Sequence, residues 1–183
     1  VAIHNIQGAA HASPLTGMVV HVADAVVTAR DARGFWLQEP DAEADADVAT
    51  SEGIYVLTSV TPIVTLGDLV SVRGRVVEFF ADGAAGDGLA ITELSTVTVT
   101  ILAQAQPLPM PVVIGAAGRQ SPTTTIDHDA FASFDPAHDG IDFYESLEGM
   151  RVAIDDAVVV GATNGFGEIW VLPDGGANAT SRS

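Results

Sequence analysis

Asp41, Glu43, Asp45 and Asp47 alternate with alanines in one short acidic run. Carboxylates at every second position can converge on a hard cation, and Ca²⁺ takes roughly six to eight oxygen ligands in flexible geometry. Ca²⁺ or Mg²⁺ is therefore the cofactor this run would hold; a solvated loop has the same composition. The run is not an EF-hand, because the Gly and the terminal Glu of that motif are missing in register. A second candidate is formed by Phe35, Trp36, Tyr55, Arg73 and Arg75. Exposed aromatics stack on bases while arginines contact phosphate, which is how single-stranded nucleic acid is held. Strand alternation sends Phe35 and Trp36 to opposite faces, so only one of them can meet a ligand. The competing reading buries the aromatics in a core and pairs the arginines with acids.

The remaining chemistry-bearing residues are sparse. His4, His11, His21, His128 and His138 include no pair at zinc-binding helical spacing, and H-E-x-x-H is absent. Asp127-His128-Asp129 and His138-Asp139 are mixed donors that suit a metal or a polar loop equally. There is no Cys and no G-x-S-x-G elbow. The glycine-rich stretch 83–88 lacks the Lys-Ser/Thr of a phosphate loop. No catalytic constellation stands in the sequence, so the chain by itself is expected not to be an enzyme.

These residues need a frame, and a repeat indicates one. The run LTGMVVHVADAVV over 15–27 returns as LEGMRVAIDDAVV over 147–159. A Gly-Phe follows each copy, at Gly34-Phe35 and Gly165-Phe166, and then a Trp. Such self-similarity marks a structural unit used twice. Each copy reads as strand, tight turn and strand, and Asn164-Gly165 is a strong hairpin signal. Strands are expected over 18–28, 34–38, 53–57, 69–80 and 89–92, with alternating Thr and Val continuing over 96–101. Residues 3–8 read as a further short strand. Gly74 in mid-strand suggests the bend of a small closed barrel. The expectation is an all-β chain: an OB-type Greek-key barrel over 1–103, with a β-sandwich as the alternative. A Pro-rich linker with a short helix follows over 104–146. The first strands of a second OB-like unit occupy 147–183. Such a two-stranded ribbon is marginal alone. It is expected to pack on residues 107–144 or to pair with another copy of the chain.

The charge balance narrows the partners. Against 24 acids there are 7 basic residues, all Arg, for a formal net charge of −17. That field disfavours nucleic-acid backbones and anionic lipid, so duplex DNA is expected to bind weakly or not at all. No apolar run reaches the length of a membrane span. No signal peptide stands at Val1, and a cleaved one would leave no trace.

Several motifs together resemble the OB-fold region of large secreted bacterial nucleases. They are IHNIQG at 3–8, GFWLQ at 34–38, TSEGIYV at 50–56 and VSVRGRV at 70–76. FDP at 134–136, DGIDFYESLEGM at 139–150 and FGEIW at 166–170 extend the match over essentially the whole chain. In that family the region precedes a catalytic domain of the endonuclease/exonuclease/phosphatase type. That domain's metal-binding Glu and Ser-Asp-His contexts are missing here, and Asp127-His128 follows Ile126. The resemblance therefore implies a secreted, non-catalytic accessory module, partnered by a downstream nuclease-like domain and able to contact single strands. A structural protein that assembles with copies of itself is the alternative.

Overall fold

The computed structural model describes residues 1–58, 60–80 and 89–177. The Gly/Asp loop expected over 81–88 and residues 178–183 lie outside the described residues. The chain forms two compact units. One comprises Val1–Met110 with Pro122–Arg151, the other Pro111–Ser121 with Val152–Ser183.

The first unit is built on β1 (Val19–Arg30), β2 (Gly34–Gln38), β3 (Gly53–Leu57), β4 (Leu69–Phe79) and β5 (Ile91–Ala103). They close in the order β1-β2-β3-β5-β4, with β4 returning to β1. Only β3 and β5 run parallel among these neighbours. This ring meets the all-β, OB-type expectation, and the sandwich alternative fails because one sheet closes on itself. Alternation sets the inside. Phe35, Val56, Leu94 and Val76 stand in register across four strands and are all buried. Burial stabilises each such side chain by about 1.5–3 kcal/mol. The next row outward is Trp36, Tyr55, Glu93 and Val77.

β1 serves two partners because it bends, with register shifts between Val22 and Ala25 and between Val27 and Ala29. The bend expected at Gly74 is also present as a register shift between Arg73 and Arg75. A Cβ on Gly74 would stand 2.8 Å from Val97 Cγ1. β5 is one strand of 13 residues rather than two pieces, with Thr96 at φ 52° absorbing the irregularity.

Residues 3–8 do not form the expected strand. They form helix α1 (Ile3–Gln7). Ile3 and Ile6 are three apart, a helical spacing, and both are fully buried in the barrel core. Gln7 Nε2 fixes the helix to β3 by donating to Gly53 O at 2.7 Å.

The observed units also differ from the expected 104–146 and 147–183 boundaries. Residues 122–151 belong with the barrel and carry the expected short helix, α2 (Gly140–Glu145). Buried Asp142 bonds His11 Nε2 at 2.7 Å and accepts from Asp135 N at 2.7 Å. The repeat is real as conformation at its start. Met18 N donates to Leu15 O at 2.9 Å and Met150 N to Leu147 O at 3.1 Å. Gly17 and Gly149 take φ 82° and 70° in the two turns.

Beyond that turn the copies diverge. In the second unit β6 (Val112–Ile114) pairs parallel with β7 (Val152–Ile154), and β8 (Val158–Val159) pairs antiparallel with β9 (Val171–Leu172). The strand expected over 151–160 breaks at Asp155 and Asp156. Asp156 adopts φ 47°, and their carbonyls accept from Asp174 N and Gly175 N. A turn forms here, but not the expected one with Asn164-Gly165 at its centre: Gly167 N donates to Asn164 O at 3.1 Å, so Gly165 and Phe166 are central, and positive φ falls on Gly167 instead. Asn164 Oδ1 accepts from Phe166 N at 2.9 Å. The ribbon is thus covered by β6 along β7, while Trp170 stays half-exposed.

Candidate functional site

The outer row of the barrel opens a cleft of about 240 Å³, lined by Asp31, Arg33, Trp36, Tyr55, Leu57, Phe79, Ile91 and Glu93. Its floor follows from register. Trp36 lies beside Tyr55 on the neighbouring strand, with ring centroids 4.8 Å apart and planes inclined by 57°. Phe35, one residue earlier, points into the core, so alternation selects Trp36 as the ligand-facing aromatic. Gly34 makes room for this arrangement, since a Cβ there would stand 2.4 Å from the Tyr55 ring.

The β1–β2 turn supplies the polar rim. Asp31 accepts from the backbone N–H groups of Arg33 and Gly34, each at 2.7 Å, and from Tyr55 OH at 3.2 Å. Burial pushes the Asp31 carboxyl up, but the two N–H groups and the phenol outweigh it and hold it below its usual range. Burial first, then the Asp31 charge and hydrogen bond, push Tyr55 up to about 12. The phenol is therefore a fixed donor at neutral pH, with its ring held in place against Trp36.

Glu93 closes the inner end. It is 5% exposed and lines the cleft. Its carboxylate has no hydrogen-bond partner among the described residues. Burial raises its pKa, and the Arg33 charge only partly opposes this. Its oxygens are not sealed in the core: among the described residues the one fully buried side-chain oxygen without a partner is Asp68 Oδ1. The Glu93 carboxylate instead faces the cleft, where a bound donor would replace water.

Of the expected nucleic-acid residues, the fold brings Trp36 and Tyr55 together but not Arg73 and Arg75. Those arginines stand on β4 opposite His21 and Val19 of β1 and do not line the cleft. Arg75 Nη1 donates to Gly17 O. The cation at the cleft is Arg33, which the sequence presents only as part of the turn Asp31–Gly34. Glu93 carried no signal, because the parallel β3–β5 pairing that sets it beside Tyr55 joins segments far apart in the chain.

The acidic run does not converge. Asp41 Oδ1 accepts from Met110 N, Asp45 Oδ1 from Asp47 N and Asp47 Oδ1 from Ala49 N. Each of these three carboxylates accepts from a backbone N–H, Glu43 lines a cleft with Asp41, and Asp45 turns toward His4, its Oδ2 3.9 Å from Nε2. The groups that gather ligand atoms within 4.8 Å are elsewhere, among the described residues: His4, Glu39 and Glu52, and Asp127, Asp129 and Asp139. In the first, His4 Nδ1 lies 2.7 Å from Glu39 and 3.2 Å from Glu52. Burial and the adjoining Glu39 carboxyl push Glu52 up to about 8. Burial pulls His4 down, but the hydrogen bonds and charges of both glutamates outweigh it and raise its pKa. In the second, His128 Nδ1 lies 2.6 Å from buried Asp139, so the two mixed-donor pieces of the sequence meet. These residues gather ligand atoms closely enough for a cation; His4 already bridges the two glutamates of the first group, and in the second Asp139 bonds His128 while Asp129 accepts from Ala132 N and Ser133 Oγ.

A third acidic centre lies at the same unit's α2 end. Burial, then Glu148, Glu78 and Asp142, push Glu145 up to about 8. Burial pushes Glu148 up to about 7, against hydrogen bonds from Gln7 and Thr92 N. No helix among the described residues is long and apolar enough to cross a membrane.

Comparison with known proteins adds one match. Residues 113–183 fit the model of a family described as a domain of unknown function (DUF8508), a description that assigns no activity. No curated protein and no solved structure matches the chain.

Proposed function

We propose that this chain is a non-catalytic accessory module of a secreted nuclease-like protein, and that it contacts single-stranded nucleic acid through the outer face of β2 and β3. The observation that supports this most is the adjoining Trp36–Tyr55 pair at a cleft rimmed by Arg33. Every base has a π-face, so such a platform tolerates sequence while one cation meets the backbone. The net charge of −17 works against a duplex, which is held chiefly through many phosphates. A partner domain supplies the cutting chemistry in this reading.

Tryptophan fluorescence tests it. In a Trp170→Phe background, Trp36 is the one remaining tryptophan. Mixed-sequence single strands should quench it in a saturable way, and duplex of the same sequence should not. Absence of any saturable response to single strands sinks the reading.

A second reading, self-assembly, is favoured by one observation in the other unit. Phe166 is 91% exposed there, with Val159, Ile169 and Trp170 also exposed. Several large apolar side chains exposed within one short segment are what an interaction site presents. Concentration-dependent sedimentation that Phe166→Ser abolishes would support it, and a monomer at all concentrations would remove it.

A further inference from the structure

The cleft is asymmetric in its chemistry. Trp36, Tyr55, Leu57, Phe79 and Ile91 offer flat or apolar surface, while its polar groups are not equivalent. The Tyr55 phenol and the Asp31 carboxylate are already bonded to each other, and Asp31 is further engaged by two backbone N–H groups. Glu93 is the acceptor lining the cleft that has no donor among the described residues; the residue is 5% exposed, and its oxygens open to the cleft rather than being sealed in the core. It stands in register with Tyr55, one strand further along the same row. A ring stacked on the aromatic pair would therefore present its edge toward the carboxylate. At about 240 Å³ the space is below the roughly 300 Å³ at which drug-sized sites begin, so it suits one ring system rather than several.

A base edge meets a carboxylate in two opposite ways. Cytosine offers its N4 amino group, for which Glu and Asp are natural acceptors. Uracil places the O4 acceptor at the same position, against another acceptor. Leaving Glu93 unpaired while adding a second lone pair opposite it is costly in a buried site.

Resting on the single-strand reading above, we infer that the cleft is a one-nucleobase pocket in which Glu93 accepts a hydrogen bond from an exocyclic amino group, so the module prefers amino-bearing bases. Arg33 at the rim meets the phosphate of that nucleotide, and the preference is independent of it.

Oligo-dC and oligo-dU of about eight nucleotides, within the usual site size of an OB fold, make the test. They carry equal charge and differ only on the base edge, at the 4-position (amino against carbonyl) and at N3 (acceptor against N–H), so the phosphate term cancels. With Trp36 as reporter in the Trp170→Phe background, the chain with Glu93 intact should bind oligo-dC about tenfold tighter than oligo-dU, the discrimination of one good base contact. Glu93→Gln should bring the ratio close to one, because an amide both donates and accepts. Circular dichroism and the melting curve of the variant establish that it is folded. If both strands bind with equal affinity with Glu93 intact, or if the preference survives Glu93→Gln, the pocket assignment is overturned while the platform stands. If neither strand binds, the platform reading itself fails. If tetramethylammonium quenches Trp36 competitively and cytidine does not, the cleft is a cation site and the inference is wrong.

Discussion

Glu93 of β5 is the register partner of Tyr55 of β3, across the one parallel junction of the barrel. This places a buried carboxylate beside an aromatic whose hydroxyl is already committed to Asp31. The division of labour that results, with Trp36 and Tyr55 for stacking and Arg33 for charge, differs from the arrangement read in sequence. It leads to distinct consequences for substitutions on the two sides of the barrel.

Single-strand affinity should fall by about tenfold or more in Trp36→Ala, since one base-stacking aromatic contributes roughly 1–3 kcal/mol. Arg33→Ala should weaken binding several-fold, and Arg73→Ala should leave it unchanged. With one cation at the cleft, the salt slope should be no steeper than about −0.7 in log K against log salt, the value for a single neutralised phosphate. Isothermal titration at several salt concentrations checks all of these. A steep slope, or a loss on Arg73→Ala equal to that of Arg33→Ala, would return the binding face to β4.

The Tyr55 ring depends on Gly34, whose added Cβ would lie 2.4 Å from both the ring and Val56 O. The second contact is backbone and cannot swing away. Gly34→Ala should therefore cost on the order of 2 kcal/mol or more, as overpacking does. It should also raise the accessibility of the Trp36–Tyr55 pair to acrylamide. A variant of wild-type stability with unchanged quenching would show that β2 and β3 part at Gly34 enough to admit a methyl group.

Much of this was legible in the chain. Alternation in β2 to β4 and the glycine in mid-strand at Gly74 are local signals, and they led to the closed ring. The Ile3–Gln7 helix was misread because five residues can satisfy a period of two and a spacing of three at once. Ile3 and Ile6 are decided by the core they enter. The site was legible in its aromatics, which alternation sorts, but not in its charges. Arg33 against Arg73, and Glu93 beside Tyr55, are set by which strands become neighbours across the ring. The acidic run misled because composition does not say where carboxylates point. The groupings that could hold a cation, such as Asp127 with Asp139, join segments through a fold of the loop. The 151–160 strand failed since Asp156 and the 174–175 turn compete for its backbone.

Stability should fall as pH rises from about 5 to 8. Glu52 and Glu145 sit at about 8 in the folded chain against 4.5 when unfolded, and Glu148 at about 7. Between those values the native state holds protons that the unfolded state has released, so each unit of pH lowers the free energy of unfolding. His4, also raised, acts in the same direction. The stabilisation is complete below the unfolded value and lost through the folded one. Below about pH 4 the sign reverses for Asp31, which is held low by its N–H donors. Melting curves should show a higher Tm near pH 5 than at pH 8, each kcal/mol being worth about 2–4 °C in a chain this size. Glu52→Gln and Glu145→Gln should flatten the profile. A Tm that rises over this interval would mean that the acids are ionised in the native state.

The two copies of the Leu-x-Gly-Met turn allow one substitution to be read in two surroundings. Gly17 and Gly149 share a positive φ, of 82° and 70°, and the same backbone bond closes each turn. An alanine at either position meets the left-handed penalty of roughly 1–2 kcal/mol. Their neighbours differ. A Cβ at Gly17 meets nothing within 4 Å, whereas one at Gly149 would stand 2.9 Å from Ile54 N and 3.0 Å from Gly53 C. Gly53 in turn leaves only 2.3 Å to Gly149 C for a Cβ of its own. Two glycine backbones therefore cross at the start of β3, where neither tolerates a side chain. Gly17→Ala should cost only the conformational term. Gly149→Ala should cost that plus the displacement of β3 from residues 148–151, on the order of 2 kcal/mol more. Since β3 carries Tyr55, Gly149→Ala should also weaken single-strand binding while Gly17→Ala does not. Urea denaturation of the two variants, followed by the Trp36 titration, measures both differences. Equal losses of stability would mean that the crossing at Gly53 relaxes, and that the repeated turn is held by its own geometry alone.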